Sequence, residues 1–288
     1  EFSHELVATV SPLSETELDS AFQQLMEAQI ILPQGGGKRG SYTFKHALLQ
    51  DAAYSSLLQG PKRQFHDRIA DGLLLKFPDI VRNTPELVAS HLSRAERFSE
   101  AVDHWYEAGI RAVRASANTE AINHLEMGLK HLELEASSPS RDKRELELQT
   151  PLGQVVIALH GWASRKAGLV HERAFALTRN MDNPPQLFQI MFGLGANRGL
   201  GKKFLEGISI AKQMSQYADT KNDKAGRSIA HRLYGNFLFW LPDYDLANTH
   251  FREALTVYDE LESPRLIDEY GHDPKALSLA YLAWLYTC

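Results

Sequence analysis

The chain has 288 residues, enough for two domains or one elongated repeat array, and with 43% hydrophobic and 23% charged residues it has the composition of a folded protein. A formal net charge of −5 gives no overall attraction to nucleic acid or to an anionic membrane surface, so either role would need a local basic patch. The one cysteine, Cys288, excludes an internal disulfide framework or a Cys-based zinc site, and no run of about 18 apolar residues is present to span a bilayer. The expectation is a cytoplasmic protein with no membrane partner.

The start, Glu1 to Glu5, lacks both an initiator Met and a secretory pattern, which suggests a segment of a longer protein. Ser14-Glu15-Thr16-Glu17 has the form of a capping box. Behind it Leu18, Ala21, Phe22, Leu25 and Met26 recur at helical spacing and predict an amphipathic helix. Ile30-Ile31-Leu32 and Ser41-Tyr42-Thr43-Phe44 flank a Gly-rich stretch, 34–40, and predict a β-hairpin. Two helices, 46–58 and 62–75, should follow, separated by Gly60-Pro61 and closed by Pro78. Helix, hairpin, helix is the order of a winged helix.

From Pro85 onward the chain reads as helices of about 12 to 18 residues with short polar joints, the clearest being 136–143. The strongest repeat window is 228–258, where Gly235, Ala247, Phe251 and Ala254 supply small, small, large and small positions for two closely crossing helices. Leu241-Pro242-Asp243-Tyr244 is the expected turn. In the same register stand Gly195, Gly207 and Ala211, then Val170 and Ala174, and further upstream Ala101, Trp105 and Ala108. The markers Val170, Gly207 and Ala247 are 37 and 40 residues apart, against about 34 in a standard TPR. Each hairpin needs its neighbours to bury its apolar stripe. The apolar run 279–286 should accordingly expect a further helix after it.

The fold class predicted is therefore all-α: a TPR-like helical-hairpin solenoid, 81–288, preceded by a small winged-helix-like module with one β-hairpin, 1–80.

The segments Phe2-Ser3-His4-Glu5-Leu6, Tyr42 to Tyr54, Arg63 to Ala70, Pro85 to His91 and Tyr106 to Gly109 resemble the region that follows the NTPase core in STAND-type signalling ATPases. The resemblance extends to bacterial class III adenylate/guanylate cyclases that carry such an ATPase and a TPR tail. It implies an upstream NTPase domain of the same chain, which binds ATP or ADP, and a winged-helix arm folded over it. It also implies that His46, at a helix start, senses the nucleotide phosphate, a place where backbone N–H groups and the helix dipole favour an anion. An ATPase-TPR transcriptional activator is the alternative parent.

No site for independent catalysis is expected. The run 196–203 lacks the first Gly and the Ser/Thr of a P-loop, and 193–198 fails the dinucleotide fingerprint at its third Gly; helix crossing accounts better for these glycines. The twelve histidines show no His-x-x-x-His or His-Glu-x-x-His spacing, and His124 and His131, seven apart, read as surface or packing residues. No Gly-x-Ser-x-Gly elbow is present. The helix expected at 14–29 carries Glu15, Glu17, Asp19 and Glu27 without a Lys or Arg, so it would repel DNA, and Lys38, Arg39 and Lys45 are too few to reverse that. The expected functional surface is the groove of the stacked hairpins, taking a protein or peptide partner. With Gly235 at the helix contact, Arg232 and Asn236 would both face it, like the carboxylate-holding pair of TPR domains that grip a partner's C-terminus. Arg232 as a solvated residue or the partner of a nearby acid is the competing reading, and Trp240 is expected in the core. No cofactor or metal is expected within the segment.

Overall fold

The computed structural model describes residues 2–34 and 40–287, the side chain of Asp268 excepted. The tip of the expected hairpin, 35–39, with Lys38 and Arg39, and Cys288 lie outside the described residues. The described chain is all-α but for a three-stranded sheet, and it divides into two compact units. One comprises the residues up to Arg111 with Met127–Glu135; the other comprises Ala112–Glu126 and the residues from Ala136 on.

The first unit opens with β1 (Phe2–Ser3), α1 (His4–Val10), α2 (Glu15–Glu27), β2 (Ile31–Gln34) and β3 (Ser41–Phe44). The capping box forms: Ser14 N–H donates to Glu17 at 2.9 Å, and Glu17 N–H donates back to Ser14 Oγ at 3.4 Å. The hairpin pairs antiparallel with Ile31 opposite Phe44, and β1 adds a third strand that periodicity did not predict, giving the order β1-β3-β2. Leu18, Phe22, Ile31 and Tyr42 form the core beneath, with the Phe22 and Tyr42 rings 4.5 Å apart. Burying a side chain such as Phe22 contributes about 2 to 3 kcal/mol relative to exposure. Leu25, expected on the buried face, is instead exposed.

Next come α3 (Ala47–Ser56), α4 (Gln59–Lys76), α5 (Pro78–Asn83), α6 (Pro85–Arg94), α7 (Phe98–Arg114) and α8 (Asn118–Leu132). The break between α3 and α4 falls at the extended Leu57 and Leu58, and Gly60-Pro61 lies inside the first turn of α4. Proline is tolerated there because its missing N–H would have no intrahelical acceptor. A second core joins Ala70 and Leu73 of α4, Val88, Ala89 and Leu92 of α6, and Ala101, Trp105 and Ala108 of α7. It therefore runs across the 80/81 position at which the sequence reading sets its domain boundary, and the compact units do not divide there. Trp105 satisfies its indole by donating to Ser93 Oγ at 3.0 Å.

The second unit is built on α9 (Pro139–His160), α10 (Arg165–Thr178), α11 (Leu187–Leu200), α12 (Phe204–Thr220), α13 (Lys224–Trp240) and α14 (Tyr244–Thr256). A single 3-10 turn, Glu260–Glu262, then leads to α15 (Ser263–Tyr270) and α16 (Pro274–Leu285). From α9 to α14 each helix packs on the next, then α14 packs on α16, making TPR-like hairpins. The first helices of successive hairpins also touch, α11 with α13 and α13 with α16, so these three share one face. Side-chain caps start several helices: Ser138, Ser164, Asp223, Asp243 and Asp273. The Ser138 cap with Pro139 at N1 places the beginning of α9 inside the stretch expected to be a joint, 136–143.

The small-large pattern works as the spacing predicts. A Cβ built on Gly235 would lie 2.8 Å from the fully buried Phe251 ring, between buried Ala247 and Ala254. Gly199 and Gly207 accept the Phe237 ring in the same way, and Gly153 and Gly193 accept the His171 imidazole. The glycine-rich run in α11 is thus a helix-crossing surface, with helical backbone through Leu200.

Candidate functional site

The face shared by α11, α13 and α16 carries an insertion found in no earlier hairpin of the second unit: the 3-10 turn and α15 stand between α14 and α16. On α15, Leu266 and Tyr270 are buried and join the core of α11, α12 and α13. The Tyr270 ring sits edge-on to Phe192 at 5.0 Å and to Phe188 at 6.0 Å. Gly271, at φ 76°, ends α15 in the left-handed conformation that glycine adopts without strain. That turn carries the chain onto His272, which lies against the same Phe192.

Between these elements is a cavity of about 210 Å³ lined by Phe192, Arg232, Asn236, Phe237, Tyr270 and His272, with Trp162 at its edge. Arg232 is only 5% exposed. Its Nη2 donates to His272 Nε2 at 2.6 Å, while His272 Nδ1–H donates to the Tyr270 carbonyl at 2.8 Å. The second bond fixes the tautomer that leaves Nε2 an acceptor. Arg232 Cζ lies 5.6 Å from the Phe192 centroid, a cation–π contact, and its buried Nε–H meets no acceptor. Among the described residues no carboxylate pairs with this guanidinium. Burial pulls Arg232 down to about 10, and burial together with the Arg232 charge pulls His272 down to about 3.

The structure brings Arg232 and Asn236 together on one cavity, one turn apart on α13. The competing reading of Arg232 as a solvated or acid-paired residue is corrected: it is buried, and its hydrogen-bond partner is a histidine. Trp240 is corrected as well, since at 54% exposure it lies outside the core, edge-on to Phe239. His131 packs in the first unit, stacked on Phe98 at 5.0 Å. His46, in that unit, is the exposed N-cap residue of α3, with extended backbone and no side-chain capping bond. Tyr270 and His272 went unread in the sequence. The available signal was the stretch from Ser263-Pro264 to Gly271, a helix start and a helix stop only eight residues apart.

Elsewhere, a larger hollow of about 430 Å³ lies beside His4 and Leu18 in the first unit. His4 there is paired with Asp19 at 3.1 Å. No helix among the described residues is long and apolar enough to cross a membrane.

No family model matches the chain. It is 25% identical over 291 residues to an uncharacterized protein of Rhizobium meliloti (strain 1021), an alignment that takes in 97% of this chain and 28% of that protein. The chain thus spans little more than a quarter of that relative's length. Among solved structures it is similar to YrrB, described as a TPR protein with an unusual peptide-binding site, with 17% identity, a TM-score of 0.46, and coverage of 73% of this chain and 94% of that one. It is also similar to a signal transduction ATPase with numerous domains and a tetratricopeptide repeat sensor from Pyrococcus horikoshii, with 13% identity, a TM-score of 0.36, and coverage of 89% and 48%.

Proposed function

We propose that the chain is a non-catalytic regulatory and protein-interaction segment of a larger signalling ATPase, coupling a partner or ligand on the α11–α13–α16 face to an NTPase domain upstream. A nucleotide cyclase is the parent that the sequence resemblance favours. The observation that carries the reading is Arg232, a guanidinium set beside a cavity with Asn236 and without a carboxylate partner among the described residues. Catalysis needs groups arranged around a reacting atom, whereas this arrangement is suited to holding a ligand.

The first unit supports the other half of the proposal. The order β1, α1, α2, β2, β3 with sheet order β1-β3-β2 is compatible with a winged helix, and α2 carries acidic residues that disfavour a DNA-reading role. His46 is at a helix start with its imidazole uncommitted to capping, as a phosphate sensor needs. In the parent, ATP or ADP would be the nucleotide, and the segment itself would need no cofactor.

Calorimetric titration with ADP and ATP tests this, comparing the 288-residue chain with a chain extended upstream through the NTPase core, each with and without His46→Ala. The expected outcome is binding by the extended chain alone, weakened about tenfold or more by His46→Ala. Tight binding by the 288 residues alone, or indifference of the extended chain to His46→Ala, overturns the arm-and-sensor reading.

A further inference from the structure

We infer that the Arg232 cavity is a binding site for a small organic anion, a carboxylate attached to an apolar or aromatic body, and that His272 holds the place of that carboxylate until the ligand arrives. This deepens the ligand-binding half of the reading above and is independent of the identity of the parent.

A guanidinium 5% exposed is stable in a protein when a carboxylate or several hydrogen bonds compensate it. Arg232 has one neutral imidazole, one aromatic face and an Nε–H that meets no acceptor. Packing alone would be served better by an apolar side chain of the same length. The arrangement is costly as it stands and is relieved by an anion.

About 210 Å³ exceeds the roughly 150 Å³ that accommodates benzene in an apolar cavity, leaving room for a carboxylate besides the ring. Phe192, Phe237 and Tyr270 supply the apolar walls, and Asn236 adds a second polar group one turn from Arg232. Tyr270 packs across Phe188 and Phe192 of α11, on the face that α11 shares with α13 and α16. The α15 segment therefore occupies that part of the face and leaves the cavity of about 210 Å³ beside it. Such a space suits a compact ligand better than a peptide main chain.

His272 completes the mechanism of exchange. Its tautomer is fixed by the Tyr270 carbonyl, so it faces Arg232 as a neutral acceptor. An entering carboxylate offers the same guanidinium an acceptor of opposite charge, which compensates the buried cation as a neutral imidazole does not. His272 follows Gly271, whose backbone freedom lets the imidazole withdraw.

The test is calorimetric titration of the 288-residue chain with phenylacetate and with its uncharged isostere phenylacetamide, on the wild type and on Arg232→Met and His272→Ala. The expected result is phenylacetate binding at least tenfold tighter than the amide, abolished by Arg232→Met and tightened severalfold by His272→Ala, which removes the internal competitor. Arg232→Met should also melt at the same temperature as wild type or higher, because it removes an uncompensated buried charge. Equal binding of acid and amide overturns the inference on the wild type alone, whatever the variants do. Retention of phenylacetate binding by Arg232→Met also overturns it. Binding of a peptide with a free C-terminal carboxylate, with none of phenylacetate, overturns it while leaving the interaction-segment reading intact.

Discussion

At Gly199 a side-chain carbon would sit 1.9 Å from Cε1 of Phe237, and at Gly207 the same ring would be met at 2.7 Å. Phe237 is 2% exposed and its ring is seated against both Gly199 and Gly207, so a carbon added at either glycine meets it directly. Gly199→Ala should therefore cost about 1 to 3 kcal/mol by overpacking, despite the better helix propensity of alanine. Urea denaturation measures this. Because the strain comes from one contact, Phe237→Leu should reduce the cost of Gly199→Ala, leaving the double variant more stable than the two separate losses add up to. Strict additivity would place the strain elsewhere. The sequence reading could identify this glycine as a crossing residue, because a Gly-rich helix without a preceding strand has no phosphate loop to build. It could not name the ring, since Gly199 and Phe237 lie 38 positions apart on different hairpins.

Among the elements, those with strong periodicity and a cap were legible: α2 from its capping box, α13 and α14 from the Gly235, Ala247, Phe251, Ala254 pattern. What escaped were elements whose formation depends on distant partners. β1 is two residues long and exists through its pairing with β3. The α15 helix is eight residues long, too short to be stable alone, and is held by Leu266 and Tyr270 in the core of α11 to α13. Since α15 and the turn after it carry Tyr270 and His272, Arg232 and Asn236 were readable from a helical spacing, whereas Tyr270 and His272 were not. Asp273 fastens this insertion. It caps α16 by accepting from Lys275 N–H at 2.7 Å and Ala276 N–H at 3.2 Å, and it accepts from the Tyr258 hydroxyl at 2.7 Å and from Ser263 Oγ. Burial raises its carboxyl, but the bonds from Ser263, Tyr258 and the two backbone N–H groups outweigh burial and leave it below the usual aspartate value. Asp273→Ala should cost about 2 kcal/mol, combining a lost cap with two hydroxyls left without their acceptor. A urea midpoint within error of wild type would show that the insertion is held by its apolar residues alone.

Across the whole molecule, each unit holds a pair of partly buried histidines, and this sets the response to acid. In the first unit the Nδ1 atoms of His66 and His91 lie 2.8 Å apart, with Tyr54 OH 2.9 Å from His66 Nε2. In the second, the Nδ1 atoms of His231 and His250 are 2.9 Å apart, with His250 stacked on Tyr234. Two imidazoles at that distance share one proton between them, and a second charge there would be repelled. His91 is pushed down to about 4 by burial, by His66 and by Arg94; His250 is pushed down to about 4 by burial, by His231 and by Lys212. With His272 at about 3, three histidines stay neutral in the folded chain at pH 5, whereas in the unfolded chain, at ordinary values near 6.5, they are charged. The unfolded state then binds more protons, so stability should hold above about pH 7 and fall as pH drops through 6.5 toward 4. Calorimetric unfolding at pH 5 in two buffers of different ionisation enthalpy counts the protons taken up. His91→Gln and His250→Gln should each reduce that uptake by about one proton and flatten the decline of stability with acid. Because His91 and His250 belong to different units, their two effects should add. If both variants keep the wild-type proton count, the histidine pairs are already solvated in the folded state, and the acid response has to be sought in the carboxylates that the arginines hold.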